Sequence, residues 1–133
     1  MSIIALDMGD KKIGVAISYS NVSSSGLKTI DAKNWQEIID LIKELKISRI
    51  IYGLPFKKNQ ALTVQAQKII QQIREIKKWL KKEEIKIKFD AVDETLSSQA
   101  ADQSIENKKD KDKIHILSAQ ILLDQYLAEL NKR

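Results

Sequence analysis

The 133-residue sequence contains no cysteine, one proline and four glycines. Without cysteine the chain has no disulfide, no thiolate metal site and no cysteine nucleophile, which suits a reducing compartment. A chain of this length buries a hydrophobic core without covalent cross-links, so its stability does not depend on disulfides. Because glycine and proline are so few, we expect each of them to occupy a position that requires it.

Long hydrophobic runs are also missing. No stretch approaches the roughly 18 apolar residues that cross a bilayer, and residues 1–7 lack the basic segment and long apolar stretch of a secretory signal. Neither an internal repeat nor a Gly/Pro-rich linker divides the chain. We therefore predict a single domain over residues 1–133, cytoplasmic and without a membrane partner.

Arginine is scarce as well, since 20 of the 23 basic residues are lysine. With 18 acidic residues the net charge is +5 and the pI is about 9.3. This balance excludes an acidic tail protein and permits a polyanionic partner. Lysine contacts phosphate as a point charge and reads base edges less often than arginine, so nucleic-acid binding is expected to rest on backbone contacts.

Hydrophobic periodicity predicts strands and then alternating strands and helices. The predicted strands are residues 3–6, 12–18, 26–30, 47–54 and 85–92, the last with one buried face. The predicted helices are residues 35–46 after an Asn34 N-cap, 63–82, 97–105 and 114–130, with a charged loop at 106–113. A meander followed by alternating elements indicates an α/β fold, in which a mixed five-stranded sheet is flanked by helices.

Acidic residues end two of the predicted strands. Asp7 ends the first strand, and Asp93 and Glu94 end the fifth. Ligands bind at the carboxyl ends of parallel strands, so these acids converge if the two strands are parallel neighbours. Clustered carboxylates repel unless a hard cation neutralises them, and Mg²⁺ binds through one or two carboxylates plus substrate phosphates. Such a metal activates water for in-line phosphoryl displacement.

The residues after Asp7 suit a phosphate, because Gly9 permits close approach to the backbone and Lys11 and Lys12 supply positive charge. Each feature also has an ordinary structural explanation. Asp before Gly is commonly a turn residue, and acids at a helix start interact with its positive end. His115, the single histidine, can be a plain residue in the first turn of the last helix.

Four segments taken in order carry a family resemblance: residues 6–18 (LDMGDKKIGVAIS), 52–55 (YGLP), 93–100 (DETLSSQA) and 114–127 (IHILSAQILLDQYL). They resemble the YqgF/RuvX family, Holliday-junction resolvase-like proteins assigned to maturation of the 16S rRNA precursor. The resemblance implies an RNase H-like fold and a nuclease that depends on Mg²⁺ or Mn²⁺.

Residue by residue, the resemblance makes Asp7 the first metal-binding acid. It matches Asp93 and Glu94 to the second acidic pair, with Glu94 as the closer ligand. The family has an Asp where this chain has His115, which is therefore expected to act as the third metal ligand or as a general base. Asp7, Glu94 and His115 are the implied catalytic residues. Imidazole prefers softer metals than Mg²⁺, so Mn²⁺ is expected to serve better.

Further positions depart from the family pattern. Thr95 and Lys12 each replace an arginine, and Lys57 stands where the family has a polar residue. The substrate phosphate-binding residues implied by the resemblance are Gly9, Lys11, Lys12, Lys57 and Thr95.

The resemblance implies an endonuclease that cleaves structured RNA at the 5′ end of pre-16S rRNA during ribosome biogenesis. Two alternatives stay open. One is a resolvase-like DNA endonuclease that cuts branched DNA as a dimer; the other is a catalytically inactive RNA-binding assembly factor, motivated by His115 and Thr95. Asp-x-Gly also opens actin-like ATPases, which need two such domains. Ribosomal particles are further expected partners, and the chain is expected to be a monomer or a homodimer.

Overall fold

The computed structural model describes residues 2–55, 63–93 and 111–132. Within these ranges the elements are β1 (Ser2–Met8), β2 (Lys12–Ser18), β3 (Ser25–Asp31), α1 (Trp35–Leu45), β4 (Ile47–Leu54), α2 (Val64–Lys82), β5 (Lys88–Asp93) and α3 (Lys111–Asn131). The helix expected at 97–105 and residues 106–110 lie outside the described residues. Of the helices in these ranges, none has both the length and the apolar character needed to cross a lipid bilayer.

The strands form one sheet in the order β3-β2-β1-β4-β5. β1 is antiparallel to β2 and parallel to β4, and β5 extends the parallel half. The predicted α/β fold with a mixed five-stranded sheet is therefore confirmed. β4 lies between β1 and β5, however, so the two strands that end in acids are parallel but not neighbours.

An apolar layer covers each face of the sheet. On one face Ile4 and Leu6 of β1 pack against α1 and α2. On the other face Ile3 and Ala5 pack against α3 through Ala119, Leu123 and Leu127. Because side chains alternate along a strand, Asp7 belongs with Ile3 and Ala5 on the α3 face.

Local sequence explains the helix starts. The Asn34 side chain accepts a hydrogen bond from the backbone N–H of Glu37, and Thr63 accepts one from Ala66, so both helices begin at a capping side chain. The predicted helices 35–46 and 63–82 are confirmed to within a residue at their ends.

Two boundaries differ from the prediction. The strand expected from residue 85 begins at Lys88, because Glu84 has a φ of 58° and the N–H of Ile85 donates to the Leu80 carbonyl at 2.9 Å, which ends α2. β5 is an edge strand without a fully buried residue: on the face expected to be buried, Phe89 is half-buried against the core, whereas Ala91 is exposed.

The last helix begins at Lys111, so residues 111–113 are helical rather than part of a loop. Asp112 lies in the first turn, where a carboxylate interacts favourably with the helix dipole. His115 is consequently in the second turn of α3 and not in the first.

A polar network holds the C-terminal half of α3 on the sheet. The Tyr126 hydroxyl donates to Asp90 Oδ2 of β5 at 2.8 Å and accepts a hydrogen bond from Arg49 of β4. The Arg49 guanidinium also lies 3.6 Å from Asp90 and 5.8 Å from the centre of the Tyr126 ring. Burial, followed by the hydrogen bond to Asp90, raises the pKa of Tyr126.

We expect Tyr126→Phe to lower the free energy of unfolding by about 1 kcal/mol at neutral pH, because it removes these hydrogen bonds. A raised pKa in the folded state means that the contribution is complete below about pH 10 and is lost as the pH rises further. Urea unfolding across alkaline pH measures both effects. Tyr19→Phe, at a residue that is 60% exposed, is the control and should unfold like the wild type; an equal effect there would contradict the assignment.

Candidate active site

Asp7 and His115 form a side-chain pair across the sheet and its covering helix. Asp7 lies near the carboxyl end of β1 and is 8% exposed. Its Oδ2 atom is 2.9 Å from Nδ1 of His115 on α3. Two residues separated by 108 positions in the sequence are thus brought together at the end of a central parallel strand, where ligands of α/β sheets bind.

Glycine at position 14 allows this pair to form. Gly14 of β2 is the cross-strand partner of Asp7, and a Cβ atom on Gly14 would overlap the backbone carbonyl and Cβ of His115. α3 therefore lies directly on the backbone of β2 where its histidine faces Asp7. At a neighbouring glycine, Gly26 of β3, an added Cβ would meet the Cγ2 methyl of Ile116 rather than backbone. The glycines bring α3 close enough for the imidazole to contact the carboxylate.

The turn after β1 borders the same pair. A Cβ on Gly9 would lie 3.1 Å from Cε1 of His115, so this turn runs close to the imidazole. The Gln72 side chain of α2 donates to the Gly9 carbonyl at 3.1 Å and anchors the turn. A Cβ on Gly9 would also lie 2.5 Å from the Lys12 carbonyl oxygen, so glycine is what allows this turn to close tightly beside the pair.

The lysines of the implied phosphate-binding set differ in what they contact. Lys12 forms an ion pair with Asp31 of β3, and the hydrogen bond and charge of Asp31 raise the pKa of Lys12. Lys11 is exposed. Lys57 and Thr95 lie outside the described residues. Of this set, Gly9 lies beside the Asp7–His115 pair, whereas the Lys12 ammonium forms an ion pair with Asp31.

Asp93 lies apart from the pair. Two strand spacings, about 10 Å, separate the ends of β1 and β5. Val92 packs on the α3 face, so alternation directs the next side chain, Asp93, to the opposite face. Glu94 follows directly and lies outside the described residues. Across residues 2–55, 63–93 and 111–132, no three His, Cys, Asp or Glu side chains form a group suited to a metal ion.

The Asp7–His115 pair nevertheless fits part of a metal site. It offers a carboxylate and an imidazole, a donor set that suits Mn²⁺ better than Mg²⁺. The 2.9 Å between Oδ2 and Nδ1 is close to the roughly 3 Å between adjacent ligands of an octahedral ion with bonds of about 2.1 Å. Further carboxylates, waters and substrate phosphates complete the coordination shell of such an ion, so two protein donors can form part of the site.

Sequence reasoning did not identify Gly14 and Gln72 as parts of the site. The sequence did contain an indication of the role of Gly14, because a lone glycine inside an apolar strand often marks the close approach of another backbone. Gln72 lies on the polar side of a predicted helix and had no such signal. No local sequence pattern indicated the network of Arg49, Asp90 and Tyr126 either, so it was not predicted.

Comparisons with known proteins show the family and the fold of this chain. The family model described as "RuvX: Holliday junction resolvase" matches residues 1–129. A protein from Clostridioides difficile (strain 630) is 36% identical over 94% of this chain and 92% of its own length. One from Sulfurihydrogenibium sp. (strain YO3AOP1) is 36% identical over 97% of this chain and 91% of its own. Both bear the name "Putative pre-16S rRNA nuclease".

Among solved structures, RuvC of T. thermophilus in complex with a Holliday junction substrate matches with a TM-score of 0.58. It is 9% identical, and the match covers 98% of this chain and 96% of that one. Likeness at this level concerns the fold alone. The fold is accordingly RNase H-like, as the sequence resemblance implied.

Proposed function

Since this chain belongs to the RuvX family of Holliday junction resolvases, we propose that it is a divalent-metal-dependent endonuclease that processes the 5′ end of pre-16S rRNA. The observation that carries the proposal is the Asp7–His115 pair at the carboxyl end of β1. The relatives' shared name supports RNA as the substrate. Pre-ribosomal particles in the cytoplasm are then the expected setting.

We assign Asp7 as the first ligand of the ion, His115 as a further ligand in the place of the family's third acid, and Glu94 as the ligand from the end of β5. When bound, a divalent ion supplies activation of water and stabilisation of the leaving oxygen. The residues of this chain position the ion and the substrate. Gly14 allows His115 to lie against Asp7, and we place the scissile phosphate beside this pair, next to the turn at Gly9.

Asp93 has a different part in this assignment. Its face is opposite to that of Asp7, so we infer that it supports the end of β5 rather than holding the ion. Lys11, exposed beside the turn, supplies positive charge for the RNA backbone, whose affinity is then sensitive to salt.

Cleavage of two substrates tests the proposed function. Purified protein is incubated with an RNA that contains the 5′ leader and the start of 16S rRNA, and separately with a four-way DNA junction, each with Mg²⁺ or Mn²⁺. Cleavage of the RNA alone supports the proposal. Cleavage of the junction alone indicates the resolvase alternative, and RNA binding without any cleavage indicates the inactive assembly factor.

The metal preference should depend on residue 115. We expect the wild type to cleave faster with Mn²⁺ than with Mg²⁺, because imidazole is a softer donor than carboxylate. His115→Asp restores the all-oxygen donor set and is expected to reverse the preference. His115→Ala should lower the rate about 100-fold or more with either metal.

Initial cleavage rates with each metal, combined with calorimetric titration of Mn²⁺, measure this prediction. An unchanged metal preference in His115→Asp, with Mn²⁺ affinity equal to that of the wild type, would show that His115 is not a ligand.

A further inference from the structure

A groove of about 790 Å³ lies between the C-terminal part of α2 and the start of β5. Lys77, Lys81 and Lys86 line it, together with a single acid, Glu84. Within the described part of the chain, none of these three lysines is paired with a carboxylate. We call this surface the lysine groove. The charged side chains of the groove therefore carry a net positive charge, with three lysines against one glutamate.

The floor of the lysine groove is apolar. It is formed by Leu80 together with Ile85, Ile87 and Phe89, which approach and enter β5. The Lys77 ammonium lies 5.1 Å from the centre of the Phe89 ring, so charge and aromatic surface meet at one place. Ile85, Ile87 and Phe89 are half-buried, so part of their apolar surface reaches the groove beside the lysines.

The lysine groove is separate from the Asp7–His115 pair. Phe89 is level with Ile50 of β4 and, through it, with Ile4 of β1. It therefore lies about 10 Å from Asp7 along the strands and about 10 Å across them. Phe89 also packs with the layer under α1 and α2, on the other face of the sheet from Asp7.

We propose that the lysine groove binds a single-stranded segment of RNA away from the site of cleavage, an inference that rests on the proposed function. Unpaired RNA offers phosphates to lysines and base faces to an apolar or aromatic floor. Duplex RNA keeps its bases stacked inside the helix, so it would use the rim but not the floor. An unpaired flank of the proposed RNA substrate is the segment that we assign to the groove.

The test measures binding of a fluorescent single-stranded RNA and of its duplex, using Asp7→Asn protein so that cleavage does not interfere. Lys81→Gln/Lys86→Gln should weaken single-strand binding about tenfold and reduce the slope of log K against log salt by about 1.4. The matched control is Lys33→Gln/Lys68→Gln, at two exposed lysines outside the groove. Its affinity should stay within about twofold of the parent and its slope should not change.

Phe89→Leu tests the floor. It should weaken single-strand binding about fivefold and leave duplex binding unchanged, because leucine keeps the apolar packing but loses the stacking surface. Thermal unfolding shows whether each variant is folded. Equal losses in the control variant, or equal loss of duplex and single strand in Phe89→Leu, would overturn the proposal.

The two proposals fail in different ways. If the wild type cleaves RNA but the groove variants bind single strands like the parent, the groove has another partner, such as an acidic protein segment, and the nuclease assignment stands. If the groove variants lose binding but the wild type cleaves nothing, the nuclease assignment fails and the groove remains an RNA site.

Discussion

Replacing Asp7 with asparagine is expected to abolish cleavage while leaving the protein folded and able to bind RNA. Asparagine has the shape of aspartate and keeps an oxygen that can accept a hydrogen bond from the imidazole of His115. It lacks the negative charge that attracts a divalent ion into a site that is largely buried. We expect kcat to fall at least about 10³-fold, which corresponds to about 4 kcal/mol of transition-state stabilisation.

Single-turnover cleavage of the precursor RNA measures this loss, with thermal unfolding and RNA affinity measured on the same preparations. Asp93→Asn is the matched control, because it makes the same chemical change in the acid at the end of β5, which is parallel to β1 in the same sheet. Asp93 faces away from Asp7, so its variant should lose far less activity. Near-equal losses would place both carboxylates at the ion and contradict the separation of roles.

Gly14→Ala is expected to have the largest effect on the fold. The added Cβ would overlap the backbone of His115, and backbone cannot rotate away as a side chain can. Overpacking of a core usually costs about 1–3 kcal/mol, and this contact belongs at the upper end. We expect a loss of about 3 kcal/mol, a fall in Tm of about 10 °C, and loss of cleavage, since α3 must lift away from β2.

Gly26→Ala provides the comparison, because its Cβ would meet the Cγ2 methyl of the Ile116 side chain rather than backbone. A small shift of this half-buried side chain relieves the overlap more easily than a shift of helix backbone, so a smaller loss of stability and a retained rate are expected. NMR of the His115 ring in both variants reports directly whether the imidazole still contacts Asp7. A Gly14→Ala protein with wild-type stability and activity would show that α3 is not held by this contact.

Most of the fold followed from the spacing of apolar residues. β2 and β4 have the predicted ends, and α1 and α2 begin beside the capping residues Asn34 and Thr63. Their sequences carry strong signals, because each element buries a continuous apolar face or starts with a capping side chain. β5 was placed too early because alternation through Ile85 and Ile87 resembles a strand, whereas the Ile85 N–H is used to close α2.

Less of the candidate site than of the fold could be predicted from the sequence. The family resemblance identified Asp7 and His115 as site residues. Their contact, however, depends on the register of β1 with β2 and on the distance between α3 and the sheet. Both are tertiary quantities that no local pattern encodes. The separation of Asp7 from Asp93 likewise depends on strand order, since β4 enters between two strands that are far apart along the chain.

The span of 108 positions between Asp7 and His115 also bears on how the protein is made. Synthesis proceeds from the N-terminus, and the five strands are complete before α3 has been translated. A nascent or prematurely terminated chain that stops before residue 115 has no imidazole to place beside Asp7. Under the proposed assignment, the set of metal ligands is therefore complete only when translation is nearly finished.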